Sequence, residues 1–499
     1  MGVLCFKNVG LDDDLREIMP ESCGVAAAIN VPDASWTVAQ MITSVEKRGE
    51  RGGGIASCHN GNLYHRRRIG PFSIQFREFD SARCKKVLPG TTAIGHCRYA
   101  THGDPDFVAN VQPLTVFDSK YGWLATGHNG TLVDAQVIKR NLLDSGCAFN
   151  TTTDTEIIIH LILQSGESDV ERAIISALQK IPCAYSLLIM TRDKVFAIRD
   201  RFGNRPLSLA KMGGGFLSCS ETVAFDQFPE AEYWRDVNPG EMVIFEKDKA
   251  APRSVNFAEP EEFFCIFEAI YFSNPRSKIN GIYHDEFRRR IGWHLGYSLS
   301  ESKLGNDPLV VPILDSGKHF AEGLARYLVS NMSPGHYRYE QVYEEVLQRA
   351  HGPLGGQARS FTAVTTEERI AVVRKKLHLK KEAVKDRVVV VVDDSIVRSN
   401  TAKVVIGMFR QAGAKKVIFC VGFPPITNIC PNGMDFQTVS QLVAYHKDVE
   451  SVRKEIGADE LHYLKPEHLA DCVRETYKCG YCGGCFGGKY PVCPRLVNE

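Results

Sequence analysis

Five consecutive valines at 388–392 run directly into two aspartates, Asp393 and Asp394. Because no polar residue alternates with the valines, this run predicts a strand buried on both faces, as in a parallel sheet with helices on each side. After a short polar loop, apolar residues recur at helical spacing between about 401 and 412. This order of strand, loop and helix predicts an α/β domain with a doubly wound parallel sheet, in which ligands bind at the carboxyl ends of the strands.

The residues that follow this strand indicate the kind of ligand. Asp393 and Asp394 only accept hydrogen bonds when ionised, so they suit sugar hydroxyls or a hydrated magnesium ion rather than a phosphate. The start of the next helix offers free N–H groups and a positive dipole end to a phosphate. Together they predict a site for a phosphorylated sugar, with a solvated acidic turn after a core strand as the alternative.

Length and charge narrow the class of protein. The chain has 499 residues, which is too long for one ordinary core and predicts roughly two to four domains. Its formal net charge is +1, so no overall field favours nucleic acid or an anionic membrane as a partner. No apolar run approaches the roughly 18 residues of a spanning helix, and residues 1–22 lack the hydrophobic core of a signal peptide. We therefore expect a cytoplasmic protein that acts on small molecules.

The sixteen cysteines need a separate explanation. Without a secretory signal they indicate a reducing compartment, where clustered cysteines are more often metal ligands than disulfides. Cys479, Cys482 and Cys485 have ligand-like spacing, which fits zinc or an iron–sulfur cluster without separating the two. Four others lie in strand-like apolar segments and are expected to be buried free thiols: Cys97, Cys183, Cys219 and Cys420.

Reactive and polar residues stand at the ends of predicted elements in the first half of the chain. Cys23 opens a strand of small residues, Arg98 and the pair Asn129 and Gly130 lie at the tips of two further strands, and Asp154 precedes an apolar helix. Singly they are typical of a core thiol, a turn and a helix cap. Together they supply a nucleophile, a cation for a carboxylate, an oxyanion site and an acid for an ammonium group. Attack on the amide of an amino acid requires these groups.

The motifs that contain these residues resemble one known family. They read Cys-Gly-Val at 23, Arg-Gly at 48, Gly-His-x-Arg-Tyr-Ala-Thr at 95, His-Asn-Gly at 128 and Thr-Asp-Thr-Glu at 153. They resemble the glutaminase half of glutamine phosphoribosylpyrophosphate amidotransferases, and residues 393–398 resemble the phosphoribosylpyrophosphate loop of the same family. The two halves occur in the family's order, and the similarity extends from Cys23 to Pro491.

The resemblance implies a fold and a domain organisation. It implies a leader at 1–22, an α+β N-terminal nucleophile hydrolase domain (a four-layer sandwich) at 23–250, and an α/β type I phosphoribosyltransferase domain at 251–445. A C-terminal helical tail with cluster cysteines would occupy 446–499. Removal of the leader would give Cys23 a free α-amine, which has a pKa of about 7.7 to 8.0 and can act as general base for the thiol.

The resemblance also implies roles for individual residues. In the glutaminase half, Cys23 would attack glutamine, Asn129 and Gly130 would hold the oxyanion, and the substrate would be bound by Arg48, Arg98 and Asp154. In the transferase half, Mg²⁺ would be bound by Ser316, Asp393 and Asp394. The two aspartates would also hold the ribose hydroxyls, and the 5′-phosphate would be cradled by Ser395, Ile396, Val397, Arg398, Ser399, Asn400 and Thr401. A structural [4Fe–4S] cluster, with zinc as the alternative, would be held by Cys265, Cys430, Cys482 and Cys485.

The chain departs from the family pattern in the transferase half. The usual Arg-Gly-Thr-Thr reads Arg-Ser-Asn-Thr at 398–401, which places Ser399 where a glycine and a positive φ are expected. The usual Arg-Pro-Asp-Ser reads Asn-Pro-Arg-Ser at 274–277, and the family's flexible loop is poorly matched at 349–362. The implied activity is synthesis of 5-phosphoribosylamine, the first step of purine synthesis, by a homo-oligomer (dimer or tetramer). The alternatives are a paralogous amidotransferase with another phosphorylated acceptor, or a catalytically reduced regulatory homologue.

Overall fold

The chain forms two domains that contact each other through buried polar side chains. The computed structural model of the chain describes residues 23–99, 104–181, 183–331, 338–349, 377–434 and 438–491. The predicted leader at 1–22 and residues 350–362 of the altered loop lie outside these ranges.

The first domain is built on two antiparallel sheets. Its strands are β1 (Gly24–Ile29), β2 (Gly52–His59), β3 (Asn62–Ile69), β4 (Thr92–Arg98), β5 (Leu114–Asp118), β6 (Gly122–Thr131), β7 (Ala184–Met190), β8 (Lys194–Arg199), β9 (Ser208–Met212), β10 (Gly215–Cys219), β11 (Glu232–Asp236), β12 (Glu241–Glu246) and β13 (Arg253–Asn256). One sheet has the order β11-β9-β10-β1-β4-β2-β3, and the other has the order β13-β12-β8-β7-β6-β5. Its helices are α1 (Ala34–Ser44), α2 (Phe72–Gln75), α3 (Ser81–Val87), α4 (Ala135–Asp144), α5 (Thr155–Leu163) and α6 (Val170–Leu178).

Strand β1 shows how these sheets form layers. Val25, Ala27 and Ile29 pack between the two sheets, against residues of β6 and β7. Ala26 and Ala28 point the other way and pack under α1. Since successive strand side chains alternate between faces, the small apolar residues of β1 fill both layers. On the far side, α5 and α6 cover the second sheet. The order helix, sheet, sheet, helix confirms the predicted four-layer sandwich.

The first domain extends past the predicted boundary at 250. Arg253–Asn256 pairs with Glu241–Glu246 as the last strand of the second sheet, and the N–H of Phe257 donates to the carbonyl of Gly240. This segment is charged and follows Pro252, a composition that is also typical of a linker. A strand at the edge of a sheet is often charged and bounded by proline as well, because it pairs on one side only and most of its side chains face water. The boundary at 250 is therefore corrected to one beyond 256.

The second domain surrounds a parallel sheet with the order β17-β20-β21-β22. Its strands are β14 (Phe264–Cys265), β15 (Lys278–Ile279), β16 (Ile282–Tyr283), β17 (Pro308–Pro312), β18 (Leu347–Arg349), β19 (Leu377–Leu379), β20 (Val388–Asp393), β21 (Lys416–Val421), β22 (Glu460–Tyr463) and β23 (Tyr481–Cys482). Its helices are α7 (His284–Leu295), α8 (Lys318–Asn331), α9 (Tyr339–Val342), α10 (Asn400–Gln411), α11 (Val449–Ile456) and α12 (Pro466–Thr476).

The valine run forms the centre of this sheet, as predicted. Val388, Val390 and Val392 pack on the face covered by α7, α8 and α12. Val389 and Val391 pack on the opposite face, under α10 and α11. Helices on both faces of a parallel sheet confirm the predicted doubly wound α/β domain.

The region predicted as a helical tail, 446–499, is corrected in part. Glu460–Tyr463 pairs in parallel with β21 and completes the sheet, so most of this region belongs to the second domain. The strand has four residues, and only two of them are buried, so its pattern is too weak to recognise from the sequence. In the described part of the chain, every helix is too short or too polar to cross a lipid bilayer.

Candidate active sites

Cys23 lies at the start of β1 in a buried position. Its side chain is 7% exposed, and the backbone N–H of Tyr99 lies 3.4 Å from its Sγ. Burial raises the pKa of the Cys23 thiol, the Tyr99 contact and the nearby Arg98 charge oppose this, and Asp154 adds to it. The thiol therefore needs a base before it can act as a nucleophile, since the thiolate is the reactive form.

Strands β4 and β6 run side by side in the same direction on the two facing sheets. A Cβ placed on Gly127 would lie 3.9 Å from the carbonyl oxygen of Gly95. One residue further along both strands, Nε2 of His96 lies 3.0 Å from the carbonyl oxygen of His128. Residues that follow these pairs must therefore come together at one end of the sandwich.

That end contains the predicted catalytic residues. Gly24 pairs with Cys97 across β1 and β4, so Cys23 and Arg98 are neighbours at the strand ends. Asn129 follows His128 along β6 and lies at the same end. The topology thus brings Cys23, Arg98 and Asn129 together, although long stretches of sequence separate them.

The side-chain amide of Asn129 is buried and lacks a hydrogen-bond partner among the residues that the structure describes. Asn129 is 1% exposed, and neither its Nδ2 nor its Oδ1 has a hydrogen-bond partner in the described ranges. A buried amide without partners costs free energy, so such a group often marks a ligand site. At the next residue, a Cβ on Gly130 would lie 2.4 Å from the carbonyl oxygen of Ala184. Only glycine fits there, which keeps the β6 backbone close to β7.

Arg98 and Asp154 are both buried close to Cys23. Arg98 donates to the backbone carbonyls of Asp104, at 3.2 Å, and Pro105, at 3.3 Å. Asp154 lies at the start of α5, and its Oδ2 accepts from the N–H of Leu132 at 2.9 Å. These bonds hold a guanidinium and a carboxylate close to Cys23.

Arg48 lies in a network of buried charges. Its Nε donates to the carbonyl oxygen of Cys23 at 3.1 Å, and its terminal nitrogens pair with Glu221 at 2.8 Å and Glu268 at 2.7 Å. Its contacts are therefore with the Cys23 backbone and two carboxylates, and its role toward glutamine stays a prediction. Sequence reasoning missed Glu221, Glu268 and Tyr99 because each meets the site only through tertiary contacts.

The second site lies at the carboxyl end of β20. Asp393 and Asp394 are buried, and Oγ of Ser316 donates to Oδ1 of Asp393 at 3.2 Å. Burial and the adjacent Asp394 raise the pKa of Asp393. Oγ of Ser395 donates to Oδ2 of Asp394 at 2.7 Å. Two carboxylates and a hydroxyl thus meet where parallel-sheet ligands bind.

The loop after these acids has an ordinary backbone at Ser399. Its φ is −73°, in the right-handed helical region, so the expected positive φ at this position is wrong. Its Oγ donates to Oε1 of Glu455 at 2.8 Å, just before α10 begins at Asn400. Arg398 donates to the side chain of Gln441 at 2.7 Å. Residues 395–399 thus form the predicted loop between strand and helix, and Asn400 and Thr401 begin α10.

The four predicted cluster cysteines lie near one another. Cys265 pairs with Cys482 across β14 and β23, and the carbonyl of Cys485 accepts from the N–H groups of Thr427 and Asn428. Burial and the charges of Cys482, Cys430 and Cys265 raise the pKa of Cys485. Across the described ranges, no group of three or more His, Cys, Asp or Glu side chains is arranged as a ready-made metal-ion site. The thiols predicted as core residues are buried and free: Cys97, Cys183, Cys219 and Cys420.

Comparison with known proteins finds relatives over nearly the whole chain. A family profile described as a glutamine amidotransferase domain matches residues 80–259. A chloroplastic amidophosphoribosyltransferase of Vigna aconitifolia is 35% identical over 99% of this chain and 95% of its own length. The amidophosphoribosyltransferase of Bacillus subtilis (strain 168) is 35% identical over 95% of this chain and 94% of its own length.

The fold of this chain also matches that of a solved structure. The solved structure of glutamine phosphoribosylpyrophosphate amidotransferase from B. subtilis, complexed with ADP and GMP, has a TM-score of 0.83 at 33% identity. The match covers 95% of this chain and 98% of that chain. The fold and these relatives thus define a glutamine amidotransferase that carries a phosphoribosyltransferase domain. Within that class, the chain belongs to the amidophosphoribosyltransferase family.

Proposed function

We propose that this chain transfers the amide nitrogen of glutamine to phosphoribosylpyrophosphate, making 5-phosphoribosylamine for purine biosynthesis. Glutamine and water give glutamate and ammonia at the first site. At the second site ammonia displaces pyrophosphate from the ribose carbon. The observation that carries the proposal is the amide of Asn129, which is buried at the sheet end that holds Cys23 and has no hydrogen-bond partner in the described part of the chain.

The glutaminase step uses residues of the first domain. Once the leader is removed, the α-amine of Cys23 takes the thiol proton, and Sγ attacks the amide carbon of glutamine. The carbonyl oxygen becomes an oxyanion, which the Asn129 side chain and the Gly130 N–H stabilise. Arg98 and Asp154 hold the substrate's α-carboxylate and α-ammonium groups. The Cys23 amine then gives its proton to the departing ammonia, and water releases glutamate from the thioester.

The transferase step uses the carboxyl end of β20. Asp393 and Asp394 accept hydrogen bonds from the ribose hydroxyls, and residues 395–401, which run from the loop into the start of α10, surround the 5′-phosphate. The oxygens of Ser316, Asp393 and Asp394 fit Mg²⁺, a hard cation that prefers oxygen ligands. When bound, Mg²⁺ neutralises charge on the departing pyrophosphate. The same acids would hold the substrate's hydroxyl face so that ammonia approaches the ribose carbon.

The cysteine group fits a structural iron–sulfur cluster. Four thiols are what such clusters require, and three of these side chains are nearly fully buried: Cys265, Cys482 and Cys485. A cluster held by Cys265, Cys430, Cys482 and Cys485 would fasten the chain after 477 to β14 and to the 424–430 segment. Neither step of the reaction transfers electrons, so its contribution would be to stability. Zinc remains the alternative.

The experiment that tests this function measures pyrophosphate release from phosphoribosylpyrophosphate with Mg²⁺. Anaerobically purified protein with Cys23 at its amino terminus receives glutamine in one reaction and an ammonium salt in another. Release with both nitrogen sources is expected. Glutamate formation without pyrophosphate release would point to another phosphorylated acceptor, and binding of phosphoribosylpyrophosphate without either reaction would point to a regulator. The homo-oligomer and the cytoplasmic location stay predictions, testable by light scattering and cell fractionation.

A further inference from the structure

Arg48 joins the Cys23 backbone to a carboxylate of the other domain. It stands at the end of a short 3₁₀ turn, Glu46–Arg48, and is 1% exposed. Its Nε donates to the Cys23 carbonyl at 3.1 Å, while Nη2 and Nη1 donate to the two carboxylate oxygens of Glu268 at 2.7 and 3.0 Å. A guanidinium held on three sides in this way has a fixed plane and position.

Glu268 comes from the second domain, three residues after Cys265, and is fully buried. Besides Arg48, it accepts from Nη1 of Arg205 at 3.1 Å and from Oγ of Ser273 at 3.2 Å. Arg205 belongs to the first domain and donates in turn to the carbonyl of Asn432. One carboxylate of the second domain therefore engages two guanidinium groups of the first.

A carboxylate of the first domain, that of Glu221, in turn contacts the second domain. Glu221 pairs with Arg48 and also accepts from the N–H of Asn274 at 2.8 Å and from Oγ of Ser277 at 2.9 Å. The network therefore contains two arginines and two glutamates, with no net charge. Burial disfavours the charge of Arg48, but Glu268 and Glu221 outweigh it and raise the pKa of Arg48. Buried charges are stable only when paired in this way.

We propose that Glu268 is a positioning residue for the glutaminase reaction: it holds Arg48, and Arg48 holds the carbonyl of Cys23. This inference rests on the proposed function, in which Cys23 is the nucleophile. The Cys23 carbonyl shares its Cα with both the thiol side chain and the α-amine, so rotation of that residue displaces nucleophile and base together. The second domain thereby completes the active site of the first.

The test is Glu268→Gln in the full-length processed protein. The variant keeps the size of the side chain but loses the charge that fixes Arg48. We expect kcat for glutamine hydrolysis to fall about 10- to 100-fold, the scale of a misplaced reacting group, with KM for glutamine within about twofold. Ammonium-dependent pyrophosphate release should stay within about twofold, because the second site does not use Cys23. Glu261→Gln is the matched control, since Glu261 pairs with Arg201 on the surface at the same boundary.

A second variant controls for misfolding of Glu268→Gln, which leaves a buried positive charge without compensation. Glu268→Gln combined with Arg205→Gln restores charge balance and leaves Arg48 paired with Glu221. We expect this double variant to fold and to keep the low glutaminase kcat, and Glu268→Asp to recover part of it. Wild-type kcat in both Gln variants, or equal loss of both half-reactions, would overturn the inference. No glutaminase activity in the unsubstituted protein would reject the proposed function, and this inference with it.

Discussion

Cys265 and Cys482 lie opposite each other in a parallel strand pair, although they come from opposite ends of the second domain. The pair is only two residues long on each side, too short to be stable by its backbone hydrogen bonds alone. The adjacent Cys485 is tied by its carbonyl to the N–H groups of Thr427 and Asn428, next to Cys430. An inorganic group bound by all four thiols would supply the cohesion that this small pairing lacks.

We expect Cys482→Ser to lose bound iron, because the hydroxyl is a poor ligand for an iron–sulfur cluster. Anaerobically purified wild type should contain about four irons and about four inorganic sulfides per chain. The measurement is iron and sulfide content together with the visible absorption spectrum. Cys479→Ser is the control, since Cys479 is half-buried nearby and lies outside the predicted ligand set. About one zinc per chain in place of iron would contradict the cluster.

Asn129→Ala should remove one donor from the oxyanion site. Loss of such a donor costs about 100- to 1000-fold in kcat, so glutamate formation should fall by that factor. Ammonium-dependent pyrophosphate release should be unchanged. Asn150→Ala, at an exposed position in the same domain, is the control. Full glutaminase activity in Asn129→Ala would remove this residue from the mechanism, whatever the nucleophile.

Asp394→Asn should weaken the transferase half alone. A hydrogen bond to a charged group contributes about 1.5 to 3 kcal/mol, so losing one should raise KM for phosphoribosylpyrophosphate at least about tenfold. Glutaminase activity measured without that substrate should persist. Asp386→Asn is the control, because Asp386 is exposed near the opposite end of β20 and its positive φ tolerates asparagine. Similar KM values for the wild type and Asp394→Asn would place the ribose hydroxyls elsewhere.

The sequence predicted the parts of the fold whose residues repeat locally. The valine run predicted a strand with two buried faces, and alternate valines do pack in two different cores. The small residues of β1 and the apolar helix after Asp154 were recognised for the same reason. Edge strands were missed, because Arg253–Asn256 and Glu460–Tyr463 are short and partly polar, so neither has a strong period.

The candidate sites were predictable only in their separate pieces. Cys23, Asn129 and Asp154 could be proposed from residue type and position at element ends. The contacts of Arg48 could not, because Glu221 and Glu268 lie far along the chain and meet it only when the domains dock. The backbone conformation of a single residue could not be predicted from the sequence either. The glycine of the usual family motif suggested a positive φ at Ser399, whereas its position just before the helix gives it a φ of −73°.

Ser399→Gly should therefore lower stability without improving catalysis. No strain exists to be relieved at φ −73°, and the bond from Oγ to Glu455 would be lost. Removing a hydrogen bond to a charged group costs about 1.5 to 3 kcal/mol, less where the group is partly exposed, as Glu455 is. The measurement is the Tm together with KM for phosphoribosylpyrophosphate. A marked fall in KM would show that the serine side chain does obstruct the phosphate.

Glu156→Gln should reduce stability more at neutral pH than in acid. Glu156 is buried, which would raise its pKa, but His160 and hydrogen bonds from Asn150 and Thr151 outweigh burial and lower its pKa to about 2. The donors are the backbone N–H groups at 2.9 and 2.8 Å and the Thr151 hydroxyl at 2.7 Å. They order the loop that leads to Asp154.

The pH dependence of that variant follows from the direction in which the pKa of Glu156 moves on folding. A carboxyl group with a lowered pKa in the folded state contributes stability above its unfolded pKa of about 4.3, and this contribution is lost as the pH falls toward about 2. A tenfold change in proton affinity corresponds to about 1.4 kcal/mol, so we expect Glu156→Gln to cost about 1 to 3 kcal/mol at pH 7.

Urea unfolding at pH 7 and pH 3 measures the difference, with the exposed Glu232→Gln as control. Because the unfolded chain binds this proton below about pH 4.3 while folded Glu156 stays ionised down to about pH 2, part of the contribution is already lost at pH 3, and the gap between wild type and variant should narrow there. An equal gap at both pH values would show that side-chain shape, and not the carboxylate charge, stabilises this loop.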